Sequence, residues 1–295
     1  MTAVVGRFAP SPSGALHIGS LVAALSSFLQ ARAQGGRWLL RMDDLDTPRV
    51  EPGAAARILD ALRFFQLEWD DEVLYQDGRR PAYRLAIERL KHAGLAFDCG
   101  CTRREARSGR VGIEGPIYPG TCRAGLPAGR HARSVRFRVG GQLVRVADAV
   151  QGIYEQRLDR DIGDFVIRRA DGIVAYQLAT VLDDAYQGVT EVVRGADLLS
   201  STPRQIALQH ALGVDTPRYA HVPVVVDPAG EKLGKSTGAI PLRPEKPGAQ
   251  LTRCLVWLGQ RPPETLWDAS ARRVLNWGVD NWSLDRVPKT LETKA

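Results

Sequence analysis

The stretch that most constrains this chain lies between residues 3 and 44. "AVVGRF" (3–8) is a short apolar run suited to a buried strand, and a loop of prolines and glycine, "APSPSG" (9–14), follows it. Ile18, Leu21, Val22, Leu25, Phe28 and Leu29 then recur at i, i+3, i+4, i+7, i+10 and i+11, one face of a helix. Ser13 reads as its N-cap and Gly35-Gly36 as its stop. "RWLLRMDD" (37–44) reads as a second strand. Strand, loop, helix and strand within about 40 residues make a βαβ unit, which calls for a parallel sheet in an α/β protein.

The same texture recurs further on. Helices are expected over 53–66, with Pro52 in the first turn, and over 80–93, closed by Gly94. From 95 to 150 glycine, arginine and cysteine dominate, with short alternating strands such as "SVRFRV" (134–139), and the stretch reads as an insertion. The α/β pattern returns with "DFVIRR" (164–169), a helix near 176–186, "TEVVRG" (190–195), a helix near 203–212 and the strand "HVPVVVD" (221–227). A turn at Pro228-Ala229-Gly230 leads to the loop "GEKLGKSTGAIPL" (230–242), and a helical tail with Trp257, Trp267, Trp277 and Trp282 follows. No apolar run approaches the roughly 20 residues of a membrane span. The start, "MTAVVGRFAPS", has neither a basic segment nor an apolar signal segment, so the expected location is the cytoplasm.

Two loops carry candidate chemistry. Residues 9–20 sit where a strand ends and a helix begins, the place where α/β sheets bind ligands. Ala9, Ser11, Ser13 and Gly14 are small enough for a ligand to approach the backbone, and Pro10 and Pro12 stiffen the loop. N–H groups of the first helical turn suit an anion. His17 can donate to a phosphate, and Gly19 leaves room for a flat base. Alone, this is also an ordinary βα turn with a surface histidine, since it is neither G-x-G-x-x-G nor a P-loop. In "EKLGKST" (231–237), Lys232 and Lys235 suit the triphosphate of ATP as charge develops on a leaving pyrophosphate. Alone, that segment reads as a solvated lysine loop.

Taken together and in this order, "HIGS" (17–20) and "KLGKS" (232–236) resemble the two signatures of the class I aminoacyl-tRNA synthetases. "GRFAPSPSGALHIGSLVAAL" (6–25), "RMDDLD" (41–46) and "GVTEVVRGADLL" (188–199) are similar to its glutamyl/glutaminyl branch. The resemblance covers roughly residues 5–240. It implies a Rossmann-like catalytic domain in two halves, 1–95 and 164–240, with an inserted α+β zinc-binding subdomain over 96–163. A short helical tail, 241–295, would complete the chain. About 55 residues follow the second signature, too few for a large anticodon-binding region. With the cysteines, this resembles the shortened glutamyl-Q paralogues of glutamyl-tRNA synthetase. The implied activity is tRNA-independent activation of L-glutamate by ATP with Mg²⁺, then transfer to queuosine in the anticodon loop of tRNA(Asp). The alternatives are a truncated glutamyl-tRNA synthetase charging tRNA(Glu) and a catalytically silent synthetase-like RNA-binding protein. A monomer is expected.

The resemblance also implies roles by position. Arg7, Phe8, Ala9, Pro10 and Ser11 would surround glutamate, Asp43 would meet its ammonium group, and Tyr176 and Arg194 would complete the pocket. The fork of Arg194 suits a carboxylate; its structural alternative is an ion pair with Glu191 or Asp197. Tyr176 could otherwise be a core aromatic. His17, Gly19, Ser20 and Lys235 would serve ATP, and His17, Lys232 and Lys235 form the implied catalytic set. Three departures stand out: Ser20 replaces the last histidine of the first signature, Asp43 stands where the family often has glutamate, and Gly234 replaces a serine in the second signature.

Of the four cysteines, Cys99, Cys101 and Cys122 cluster and Cys254 lies far away, where it reads as a buried apolar residue. The cluster suggests structural zinc, with three reduced cysteines as the alternative. The resemblance implies Tyr118, in "IYPGTC" (117–122), as fourth ligand; His131 is the more orthodox candidate. The formal net charge of +7 favours polyanionic partners without requiring one. Arg103, Arg104, Arg107, Arg110, Arg123, Arg130, Arg133, Arg136 and Arg138 crowd the insertion and suit RNA phosphates. The tail tryptophans are expected mostly to pack between helices, with base stacking as the alternative.

Overall fold

The computed structural model describes residues 3–227, 242 and 246–294. The expected βαβ unit is present as strand Val5–Phe8, helix Ile18–Arg32 and strand Arg37–Met42, with the two strands paired in parallel. A further parallel strand, Asp70–Tyr75, lies at the outer edge of this sheet. Its sequence, "DDEVLY", lacks the apolar alternation of a strand, and its carboxylates blunt an edge that could otherwise pair with another chain.

On the other side of the first strand runs Glu191–Gly195. Thr190 N–H donates to Val5 O (3.0 Å), and Val5 N–H donates to Thr190 Oγ1 (2.9 Å). Glu191–Gly195 pairs in parallel with Arg218–Val222, which touches the hairpin of Leu143–Asp148 and Gly152–Arg157. The order across the molecule is therefore 70–75, 37–42, 5–8, 191–195, 218–222. Chain order reverses between 5–8 and 191–195, the switch point at which an open α/β sheet leaves a crevice.

Several boundaries differ from expectation for local reasons. The N-cap of the first helix is His17, whose Nδ1 accepts the N–H of Ser20 at 3.3 Å; Ser13 sits earlier, in a turn closed on Ser11 O. The second helix, Ala54–Phe64, begins after Gly53, so Pro52 precedes the cap instead of occupying the first turn. The run 221–227 is two strands, because Pro223 has no N–H to continue the ladder. Arg218–Val222 stays in the main sheet, and Val224–Val226 pairs in parallel with Glu292–Lys294. The helices Arg80–His92, Tyr176–Tyr186 and Thr202–Leu212 lie where the sequence predicts them.

The main core holds Leu21, Leu25 and Leu29 of the first helix under Trp38 and Leu40 of the second strand, all fully buried. The tail helices Pro247–Trp257 and Ala271–Asn281 pack on that first helix, with Gly278 against Leu29. Trp257, Trp277 and Trp282 pack on this core, and Trp282 Nε1 donates to Gln30 Oε1 at 2.6 Å. Packing therefore accounts for three of the four tail tryptophans, and Trp267 remains 36% exposed. A small antiparallel sheet of Ala96–Cys99, Ser134–Phe137 and Phe165–Arg168 supports the cysteine region. Among the described residues no helix is long and apolar enough to cross a membrane.

Candidate active site

A cavity of about 520 Å³ opens at the switch point. It is lined by Arg7, Phe8, Ala9, Pro10, Ser11, His17, Gly19, Ser20, Asp43, Tyr176 and Arg194, so every glutamate- and ATP-site candidate among the described residues meets there. Lys232, Gly234 and Lys235 lie outside the described residues. Gly14, at the loop's turn, has φ +133°, a conformation that a side chain would strain. Phe8 reaches the wall, but its ring stacks on Trp38 in the core, with centroids 6.3 Å apart. Because His17 Nδ1 accepts from Ser20, the ring proton belongs on Nε2. The cap also takes up the Ser20 N–H, one of the first-turn donors otherwise suited to an anion.

Arg7 and Asp43 of this lining belong to a buried four-charge network. Arg41, fully buried, donates from Nε to Asp43 Oδ1 (2.7 Å) and from a terminal nitrogen to Asp184 Oδ1 (2.6 Å). Arg7 pairs with the same Asp184 at 3.2 Å. Burial opposes the charge of Arg41, but Asp43 and Asp184 outweigh it and hold the guanidinium firmly protonated. Burial also raises the carboxyl of Asp184, and the combined charges and hydrogen bonds of Arg7 and Arg41 reverse this to a net lowering. For Asp43 burial prevails over Arg41, and its pKa is raised. A further cation beside Asp43 would relieve that cost.

Arg194 lines the same cavity. Its Nε donates to His221 Nε2 (3.0 Å), and NH2 donates to Thr202 Oγ1 (2.9 Å) and Gln205 Oε1 (2.8 Å). NH1 reaches the hydroxyl of Tyr176 at 3.4 Å. Glu191, one acid considered for Arg194, is buried and instead pairs with Arg218 at 3.1 Å. Tyr176 is 38% exposed, so it belongs to the pocket mouth and not to the core. His221 meets Asp148 at 2.5 Å. Desolvation lowers the pKa of His221 and the charge of Arg194 adds to this, with Asp148 opposing; the net shift is downward.

Away from the cavity, the ligand atoms of buried Cys99, Cys101 and Cys122 lie within 4.8 Å of one another, a group that could hold a metal ion. The Tyr118 hydroxyl is 3.5 Å from Cys99 Sγ and 3.7 Å from Cys101 Sγ, and it accepts the N–H of Cys122 at 2.7 Å. His131 is exposed and is not part of this group among the described residues. Burial raises the thiol of Cys99, but hydrogen bonds from Tyr118, the Cys101 backbone and Arg136 bring it down to about 7, toward the thiolate that metals bind. Cys254 is fully buried, as expected of an apolar core residue.

The arginine cluster divides. Arg110, Arg123, Arg130, Arg136 and Arg138 donate to groups of the chain itself, such as Asp159 O, Val139 O, Glu105, Asp164 O and Gly94 O. Each of these five thus has a structural partner within the chain. Arg103, Arg104, Arg107 and Arg133 are exposed.

A sequence profile of the tRNA synthetases class I (E and Q), catalytic domain, matches residues 3–242. The chain belongs to that family. Its curated relatives include the glutamyl-Q tRNA(Asp) synthetase of Aromatoleum aromaticum, 54% identical over 292 residues, covering 99% of this chain and 92% of that protein. The glutamyl-Q tRNA(Asp) synthetase of Pseudomonas aeruginosa PAO1 is 54% identical over 285 residues, covering 97% of this chain and 95% of that protein. A crystal structure of a glutamate tRNA ligase from Elizabethkingia meningosepticum, in complex with its amino acid, superposes with a TM-score of 0.81 at 25% identity. That match covers 99% of this chain and 66% of the ligase. The chain is thus a ligase of the glutamyl-Q tRNA(Asp) synthetase type, with the class I catalytic fold and mixed α/β content.

Arg41, Asp148, Asp184 and His221 escaped the sequence reading. Arg41 and His221 carried a signal, since each interrupts an apolar strand, "RWLLRM" or "YAHVPVVV", where a polar group must be buried with a partner.

Proposed function

We propose that this cavity activates L-glutamate with ATP, without tRNA, and that the glutamate is then transferred to queuosine in the anticodon loop of tRNA(Asp). The observation that carries the proposal is a pair of opposite charges lining one pocket, Asp43 and Arg194, both nearly buried. An amino acid with an acidic side chain satisfies both. Its ammonium group adds a second cation beside buried Asp43, whose Oδ1 already holds Arg41, and its side-chain carboxylate takes the remaining donors of Arg194, beside Tyr176. The α-carboxylate is then left for chemistry.

An α-carboxylate oxygen attacks the α-phosphorus of ATP while the bond to pyrophosphate breaks. Positioning and charge stabilisation suffice, without a covalent enzyme intermediate. His17 offers Nε2–H to the phosphates, Gly19 and Ser20 line the nucleotide's side of the pocket, and Arg7 to Ser11 hold the amino acid. Lys232 and Lys235 are assigned to the leaving pyrophosphate, and Mg²⁺ comes with the ATP phosphates. A queuosine hydroxyl then attacks the mixed anhydride and AMP leaves.

In this reading residues 96–163 form the inserted subdomain between catalytic halves 1–95 and 164–240, followed by the tail 241–295. Cys99, Cys101, Cys122 and Tyr118 would hold Zn²⁺, which supplies a structural cross-link. Exposed Arg103, Arg104, Arg107 and Arg133 would meet RNA phosphates. The setting is the cytoplasm and the working unit a monomer. The test incubates the chain with ATP, labelled glutamate and purified tRNAs. Label entering tRNA(Asp) only when it carries queuosine is expected. Charging of tRNA(Glu) at its 3′ end refutes the transfer step, and absence of glutamate-dependent pyrophosphate exchange refutes activation.

A further inference from the structure

Arg194 is aimed by a buried relay that the proposed chemistry does not use. His221 has a fully buried side chain, with Arg194 on one ring nitrogen and Asp148 on the other. The Nε of arginine always carries hydrogen, so His221 Nε2 must accept, and the ring proton must lie on Nδ1 and be donated to Asp148. This fixes a single neutral tautomer. Asp148 is anchored in turn, since its Oδ1 accepts N–H groups from Val150 (3.0 Å), Gln151 (2.8 Å) and His221 itself (3.1 Å). Among the described residues the acceptors on Arg194, namely His221, Thr202, Gln205, the Tyr176 hydroxyl and the Leu198 carbonyl, are all uncharged. They fix the plane of the guanidinium without neutralising it. A carboxylate in place of His221 would bind Arg194 more strongly and supply an internal counter-ion.

We propose that His221, locked by Asp148, is a positioning residue that sets the Arg194 fork for the substrate's side-chain carboxylate while leaving its positive charge for that ligand. This rests on the reading that Arg194 receives the side chain of glutamate. The relay thereby favours an acidic side chain over its uncharged amide, which cannot supply the counter-charge.

The test uses the full chain and glutamate-dependent ATP–pyrophosphate exchange, measured with the unaltered protein, His221→Gln and His221→Asn. The Oε1 of glutamine reaches the place of Nε2 and keeps an acceptor for Arg194. Asparagine reaches only as far as Nδ1 and loses it. His221→Asn is expected to raise the KM for glutamate about tenfold, the effect of one hydrogen bond to a charged group. Its kcat and its KM for ATP should change less than about threefold, and His221→Gln should keep its glutamate KM within about threefold of the unaltered protein. A His221→Asn variant with unchanged glutamate KM overturns the proposal, and so does equal impairment of both variants in kcat and KM, which marks a merely structural role. If His221→Asn does not fold, His221→Gln decides: a glutamate KM close to that of the unaltered protein supports the relay, and a rise beyond about tenfold overturns it. Failure of the glutamate reading has a different signature. The unaltered protein then shows no glutamate-dependent exchange at all, and the relay loses its ligand with it.

Discussion

Asp184→Asn is the substitution that most directly tests the charge network under the cavity. Asp184 Oδ1 accepts from both Arg41 (2.6 Å) and Arg7 (3.2 Å), and Oδ2 faces Arg7 at 3.5 Å. Asparagine keeps one acceptor oxygen, removes the negative charge and turns the second atom into an N–H₂ group facing a guanidinium donor. Two positive charges then share one carboxylate, Asp43, where Arg7 is 4% and Arg41 0% exposed. At about 3.5 Å and an effective dielectric of about 20, each lost attraction amounts to roughly 5 kcal/mol before compensation. Relief of the repulsion between Asp43 and Asp184, and of the desolvation of one carboxylate, returns part of this. Breaking a buried pair in this way costs about 3–5 kcal/mol. The measurement is denaturant unfolding followed by circular dichroism, read as a lower midpoint at unchanged slope. Asp171→Asn is the control, because its partner Arg169 is 44% exposed and the pair is worth at most about 1 kcal/mol. A loss in Asp184→Asn no larger than in the control refutes the reasoning.

Arg194→Lys should raise the KM for glutamate in the exchange assay far more than the KM for ATP, because an ammonium cannot engage His221, Thr202 and Gln205 as the fork does; equal changes in both would contradict this. Metal analysis of the purified protein should find about one zinc per chain, lowered in Cys122→Ser, and less than about a tenth of an equivalent in the unaltered protein contradicts the site. Gly248→Ala should cost about 3 kcal/mol or more, since the new methyl would lie 1.9 Å from Ala269 O; an unchanged melting temperature would show that the tail yields there. Glu105, which caps its helix and pairs with Arg130, has its pKa lowered from 4.5 to about 2. The stability it adds is present above the unfolded value of 4.5 and is lost as pH falls toward 2, so Glu105→Gln should flatten the acid side of the stability profile, and an unaltered profile would discount the pair.

What was legible in the sequence follows from how far each signal reaches along the chain. The first helix rests on periodicity within a dozen residues and its flanking strands on short apolar runs, and they stand where those local signals predict, as do the helix Tyr176–Tyr186 and the strand Glu191–Gly195. Asp70–Tyr75 did not, because a charged edge strand needs no apolar alternation on its exposed side. His17 as N-cap was hidden behind the more usual choice of Ser13, a turn residue that bonds locally instead. The pocket walls Asp43, Tyr176 and Arg194 came through resemblance, and the groups behind them came only from the structure. Asp184 is 177 residues from Arg7 and 143 from Arg41, and Asp148 is 73 from His221, separations over which no local pattern operates.

The two supports on either side of the cavity are built on opposite electrostatic plans, and the difference suits their tasks. On the Asp43 side, two arginines and two carboxylates pair off: Arg41 takes one oxygen of Asp43, while Asp184 is shared between Arg41 and Arg7. Asp43 is kept in place by Arg41, while burial raises its pKa against that pairing. On the Arg194 side, the carboxylate of Asp148 is set one imidazole away, so the acceptor that touches the guanidinium is neutral. Asp43 therefore stands in a paired network, whereas Arg194 meets only uncharged acceptors among the described residues. A buried guanidinium without a charged acceptor is costly in the empty pocket, and a ligand carboxylate recovers that cost. On the proposed function, such a pocket would select an acidic amino acid by what it leaves unpaired as much as by what it binds.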